Sequence, residues 1–298
     1  MSPEDQSPFP SAREDKERAA PKENAQSLSP TYKLAFADPD FLVREDLRPV
    51  RLQLELLKPD LLLREQGVRS TIAVFGSARI LDHETAQKAL DEVEAAAHAN
   101  PRDAALSKQL GRARRMLANA RYYEEARRLA ELVSSTCVGP EVCDFVVLTG
   151  GGPGIMEAAN RGASEAGAKS IGLNIVLPHE QAPNPYITPE LCFRFHYFAI
   201  RKMHFLQRAK ALIFFPGGFG TMDEMFEAAT LMQTGKIERI PFILFGREFW
   251  NQAINLPLLV EDGLVSESDP DLFQYVETAD EAWAIIADYW KVKDGKPA

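Results

Sequence analysis

Short apolar runs punctuate the chain from residue 71 onward. Residues 71–76 (TIAVFG), 145–149 (FVVLT), 170–176 (SIGLNIV), 191–195 (LCFRF), 211–215 (ALIFF) and 240–245 (IPFILF) are rich in Val, Ile, Leu and Phe. Runs that are apolar on both faces predict strands of a parallel sheet covered on two sides. Helical patterns separate them, up to about residue 166, over 196–210 and over 222–233. The last places Met225, Phe226, Ala229 and Met232 on one side. Further helices close the chain near Trp250 and Trp283–Trp290. Strands alternating with helices predict an α/β fold, a doubly wound Rossmann-like parallel sheet with helices on both faces. No internal repeat of a solenoid period interrupts the pattern.

Two stretches fall outside that alternation. Residues 1–30 are rich in Ser, Pro, Glu and Lys and poor in aromatics, which predicts a solvated, disordered tail. The chain turns helical from Asp40 to about Leu63, with Leu47, Val50, Leu52, Leu54 and Leu57 expected to pack it down. Residues 83–135 are alanine-rich and highly charged, broken at Pro101, and read as two or three helices. A crossover between parallel strands needs only a dozen or more residues, so this segment contains a helical insertion. The expected organisation is therefore a tail at 1–30 and one domain over 31–298, interrupted at about 83–135.

Composition narrows the partners. The chain has 298 residues and a formal net charge of −9, which argues against general binding to nucleic acid or an anionic membrane. Neither a bilayer-length apolar stretch nor a signal-like apolar core is present, so the expected location is the cytoplasm. Cys137, Cys143 and Cys192 form neither an even set nor a CxxC pair, which predicts reduced, structural thiols.

The candidate chemistry lies in glycine turns at strand ends. Pro216-Gly217-Gly218-Phe219-Gly220-Thr221-Met222-Asp223-Glu224 follows an apolar run and leads into a helix. Unpaired N–H groups and the helix dipole there favour an anion such as phosphate. A glutamate beside a phosphate cradle is electrostatically awkward, which points to chemistry on a phosphorylated ligand. A second turn, Gly150-Gly151-Gly152-Pro153-Gly154, sits at the end of a neighbouring strand, and two such turns predict one crevice at a topological switch point. Ser77 and Arg79, closing the first strand, and Asn174, closing the third, are expected at its edge.

Arg201 and Lys202 lie between Phe198, Ile200, Met203 and Phe205, a half-buried setting in which an arginine needs an anionic partner; Glu224 is the natural one. Asp223 and Glu227 compete with Glu224 for the acid–base role. Other chemistries fit poorly. Glu157 stands where a dinucleotide fingerprint needs its third glycine, and no GxxxxGK[ST] loop is present. His179, His196 and His204 have no ligand-like spacing, so no metal is expected. Nothing marks Lys202 or Lys210 as a Schiff-base lysine, so neither pyridoxal phosphate nor any other cofactor is expected.

Together these residues resemble the LOG family, the cytokinin riboside 5′-monophosphate phosphoribohydrolases, also labelled lysine decarboxylases. The resemblance spans residues 71–249, interrupted by the insertion. The family motif PGGxGTxxE matches Pro216 to Glu224 throughout, its glycine loop resembles Gly150 to Met156, and its arginine–lysine pair matches Arg201 and Lys202. Residues 172–186 resemble the larger bacterial members; the small plant-like members lack the N-terminal extension and the insertion. The resemblance implies that Arg201 and Glu224 form a catalytic pair. It implies that Gly151, Gly152, Gly154, Gly217, Gly218, Gly220 and Thr221 hold a 5′-phosphate, with Met156 and Lys202 joining the candidate binding residues. It also implies a homodimer or higher homo-oligomer.

The implied reaction is hydrolysis of the N-glycosidic bond of a nucleoside 5′-monophosphate, AMP-like or a cytokinin riboside monophosphate. The products are free base and ribose 5-phosphate. The alternative is a non-catalytic binding protein for a phosphorylated ligand such as a nucleotide or the molybdenum cofactor. A third reading makes residues 83–135 the working surface of an interaction protein. Arg201 and Glu224 together favour the enzyme, because a phosphate carrier gains little from a glutamate at that place.

Overall fold

In the computed structural model, strand β1 (Thr71–Phe75) is buried along its whole length and lies at the centre of the sheet. Its side chains alternate, as a pleated strand requires. Ile72 and Val74 join one apolar cluster, Ala73 and Phe75 the other. Six more strands complete a parallel sheet in the order β4-β3-β2-β1-β5-β6-β7. These are β2 (Val146–Thr149), β3 (Ser170–Ile175), β4 (Cys192–Phe195), β5 (Ala209–Phe214), β6 (Phe242–Phe245) and β7 (Gln274–Val276). The fold is thus α/β and Rossmann-like, with each face of the sheet buried.

The structure describes residues 9–18, 22–135, 143–178 and 182–292. Two compact units divide between Leu54 and Glu55. The first contains α1 (Ala12–Arg18), which buries no residue, and α2 (Pro39–Leu42), capped by the Asp38 carboxylate. Helix α3 (Arg48–Glu65) runs into the second unit, where Pro59, Asp60 and Leu63 are its buried residues. This corrects the expected packing positions: Val50, Leu54 and Leu57 are exposed.

The remaining helices cover the sheet. On the Ile72 side, α5 (Ala104–Ser134) contributes Tyr122 and Leu129, α6 (Ile155–Glu165) Ala158, and α11 (Ala279–Tyr289) Ile286. On the Phe75 side pack Leu63 of α3, Phe205 of α7 (Phe198–Gln207), Met225 of α8 (Phe219–Gln233) and Trp250 of α9 (Arg247–Ala253). The segment after β1 is α4 (His83–Ala99) and α5, broken near Pro101 as expected. The buried residues of α5 cluster towards its C-terminal end, so that part is the crossover helix of the sheet. A short α10 (Leu256–Glu261) precedes β7.

Four expectations are corrected. Strand β7 has no apolar run to announce it: Gln274 is exposed and Tyr275 half-buried. Helix α8 begins at Phe219, three residues before the expected start, so Gly220 and Thr221 lie in its first turn. Its buried face carries Met225, Ala228 and Met232, while Phe226 is exposed. Cys143 is disulfide-bonded, against the expectation of reduced thiols; Cys192 is free. Cys137 and His179 lie outside the described residues. Among the described residues no helix is long and apolar enough to cross a membrane.

Candidate functional site

The strand order reverses at β1, which pairs with β2 on one side and β5 on the other. Loops leaving the carboxyl ends of neighbouring strands diverge at such a point and open a crevice. Here three loops are knitted across it. The Ser77 N–H donates to the Pro216 carbonyl at 3.1 Å, and the Ile155 N–H to the Ser77 carbonyl at 3.2 Å. Gly154 makes that approach possible: its φ is +71°, and a Cβ there would lie 2.4 Å from the Ser77 carbonyl oxygen.

Helix α8 presents its N-terminal end to the crevice. Gly218 is its N-cap and offers no side-chain cap. The first bond within the helix runs from the Met222 N–H to the Gly218 carbonyl. The N–H groups of Phe219, Gly220 and Thr221 therefore have no partner among the described residues. The Thr221 hydroxyl sits where a Gly217 side chain would be, 2.1 Å from an ideal Cβ, so the glycine seats the threonine. The Gly150–Gly154 loop is braced from below. Thr149 donates to Asn160 at 2.7 Å, and Asn184 bonds Asn160 at 2.9 Å and the Gly152 carbonyl at 3.0 Å.

A cavity of about 660 Å³ opens over these elements, within the roughly 300–1,000 Å³ of small-molecule sites. Of the expected residues, Ser77, Arg79, Met156, Arg201, Gly218, Gly220, Thr221 and Glu224 line it. Gly151, Gly152, Gly154, Gly217, Lys202 and Asn174 do not. Asn174 is occupied below the loop: its side chain fills the space beside Gly151 and donates to the Phe193 carbonyl at 3.1 Å.

The charged groups sort differently from expectation. Lys202 takes both rival carboxylates, Asp223 at 2.8 Å and Glu227 at 2.7 Å. Burial opposes its charge, yet those two partners hold it above the usual ammonium range. Arg201 has no carboxylate within 4.0 Å among the described residues. Instead its Nε donates to the Leu173 carbonyl at 2.7 Å, and its guanidinium lies 5.0 Å from the Phe205 ring centre. Gly150 leaves it room, since a Cβ there would meet its Nη2 at 2.7 Å. Burial pulls the Arg201 pKa down and the Glu224 charge pushes it back up.

Among the described residues Glu224 is left as the half-buried carboxylate facing the cavity without an ion pair. Burial pushes its pKa up to about 7, against the pull of Lys202 and Arg201. A carboxyl near neutrality is suited to moving protons. Sequence reasoning missed the aromatic half of the cavity. Phe198 and Phe219 are 50% and 94% exposed and line it together with buried Phe75 and Phe205. Phe219 is the variable position of the glycine motif, and nothing in the sequence marks it as exposed. Among the described residues no group of three or more His, Cys, Asp or Glu is placed to hold a metal ion.

Residues 156–286 match a family model described as "Possible lysine decarboxylase", a range that includes Arg201, the glycine motif and Glu224. No curated protein matches the chain. Three similar solved structures illustrate the neighbours. The molybdenum cofactor carrier protein of Chlamydomonas reinhardtii is 20% identical at a TM-score of 0.40, covering 57% of this chain and 89% of its own. The molybdenum cofactor binding protein of Rippkaea orientalis is 17% identical at 0.39, covering 56% and 87%. A structural-genomics protein, TM1055, is 22% identical at 0.39, covering 55% and 86%.

Proposed function

We propose that residues 156–286, which match that family model, form a LOG-family domain, and that the protein hydrolyses the N-glycosidic bond of nucleoside 5′-monophosphates. One observation carries this reading. An unpaired carboxyl with a pKa near 7 shares a cavity with the free N–H groups of a helix N-terminus.

The 5′-phosphate docks on the N–H groups of Phe219, Gly220 and Thr221, where the α8 dipole favours it. Its binding energy positions the ribose over Glu224. The C1′–N bond breaks with its electron pair leaving on the base, and positive charge develops at C1′. Ionised Glu224 stabilises that charge and accepts a proton from the attacking water, whose oxygen bonds to C1′. The leaving base takes up a proton from solvent, and Glu224 returns the water proton to solvent, which restores its ionised form. Arg201, fixed on the Leu173 carbonyl, offers its remaining N–H groups to the ribose or phosphate. Phe198 and Phe219 offer apolar faces to the planar base.

Two results follow. Protein incubated with AMP, GMP, CMP, IMP and isopentenyl-adenosine monophosphate releases free base, read by chromatography. Because Glu224 works ionised and burial raises its pKa, kcat/KM rises with pH through about 7 and levels off above it. Phosphate-dependent ligand binding with no base from any nucleotide would instead leave a binding protein. Second, Phe219→Ala raises KM for the nucleotide about tenfold, as loss of one stacked base at ~1–3 kcal/mol requires. Inhibition by ribose 5-phosphate, which has no base, stays unchanged. Equal weakening of both ligands would remove Phe219 from the base side.

A further inference from the structure

The Leu173 carbonyl fixes the Arg201 side chain, but it leaves open what sets the backbone that carries it. Arg201 rides in the first turns of α7, and that helix has no N-cap side chain of its own. Its N-cap is Tyr197, which makes no side-chain capping bond.

The missing cap is supplied from α3. One oxygen of the Glu55 carboxylate accepts the His196 N–H at 2.8 Å, and the other accepts the Tyr197 N–H at 3.1 Å. A carboxylate at a helix N-terminus satisfies free donors and complements the dipole. The Tyr197 carbonyl in turn accepts the Arg201 N–H at 3.2 Å. Glu55 is therefore joined to the Arg201 backbone through one residue.

The rest of α7 is fastened to α3 independently. His204 Nε2 lies 3.2 Å from the Glu55 carbonyl. Arg208, the C-cap of α7, donates to Asp60 at 2.5 Å, and Gln207 to the same carboxylate at 3.4 Å. Asp60 is 8% exposed, so that end is anchored in the core. With the far end fixed, loss of the Glu55 carboxylate frees the first turn, which carries Arg201, and leaves the helix in place.

We infer that Glu55 is a positioning residue: its carboxylate caps α7 and thereby sets Arg201 over the cavity. The inference rests on the reaction proposed above. It acts through the backbone of Tyr197, so Glu55 itself touches no substrate.

The test is a double-mutant cycle on the full chain. Glu55→Ala lowers kcat for AMP about tenfold or more, as small misplacements of a catalytic group do, with KM within about twofold, the scale of an ordinary surface change. Glu55→Gln, which keeps an acceptor oxygen, restores part of the loss. In an Arg201→Lys background Glu55→Ala costs less than about twofold, because residues acting as one unit are not additive. Circular dichroism at the assay temperature shows that each variant is folded. A Glu55→Ala protein with wild-type kcat overturns the inference, and so does a loss that persists in full in the Arg201→Lys background. A wild-type protein that releases no base from any nucleotide overturns the proposed reaction, and this role with it; the two failures are therefore distinct.

Discussion

Glu224→Gln abolishes turnover while leaving the ligand bound. The expected fall in kcat is about a thousandfold, the middle of the range for a general acid–base group. Binding of ribose 5-phosphate is retained, since the free N–H groups of α8 are untouched. The argument for so large an effect is one of exclusion. Asp223 and Glu227 are engaged with Lys202, and no other unpaired carboxylate lines the cavity among the described residues. A compensating base is therefore lacking.

The same variant has a second signature. Burial raises Glu224 from its ordinary 4.5 to about 7, so the folded state favours the neutral form. That preference stabilises the fold below about 4.5 and is lost as pH rises through about 7. Glutamine never ionises. Glu224→Gln therefore melts at a higher temperature than wild type at pH 8, with the difference closing towards pH 4.5. Stability sacrificed for activity in this manner is common at catalytic sites. Equal melting curves at pH 8 would mean that Glu224 is not held against its charge.

Gly154→Ala is expected to damage the fold far more than its single added carbon suggests. A non-glycine residue at positive φ costs roughly 1–2 kcal/mol, and forced overpacking adds about 1–3 kcal/mol. At Gly154 both apply, because the obstruction is the Ser77 carbonyl and the Ala78 backbone, which cannot rotate away. The loss, roughly 2–5 kcal/mol, appears as a lower urea midpoint at unchanged slope. Gly218→Ala supplies the contrast, since nothing lies within 4 Å of a Cβ there. Its midpoint stays near wild type, within about 0.5 kcal/mol. Matching midpoints for the two variants would show that the contact between the Ser77 and Gly154 loops is dispensable.

The sheet was legible because its inner strands are buried on both faces and therefore read as continuous apolar runs. Strand β7 escaped because it is an edge strand of three residues with an exposed glutamine. The start of α8 escaped because glycine is a poor helix former, and Gly220 stands inside the first turn. Arg201 and Glu224 were visible from their setting and from the family motif. Their relation was not: a one-dimensional reading pairs the nearest opposite charges, whereas the fold gives the carboxylates of Asp223 and Glu227 to Lys202 and leaves Arg201 on a backbone carbonyl. Glu55 lay beyond reach, since its partners His196 and Tyr197 are some 140 positions away.

The parallel pairing of β1 with β5 joins Thr71 to Ala209, and the cavity is drawn from β1, α6, α7 and α8. Closing a loop of that length costs entropy before any contact is gained, and pairing between such distant segments is slow. Local helices such as α5 have no such delay. The cavity therefore depends on the longest-range strand pairing among the described residues. Ligand binding therefore reports that this long-range pairing is in place, and helical content alone does not.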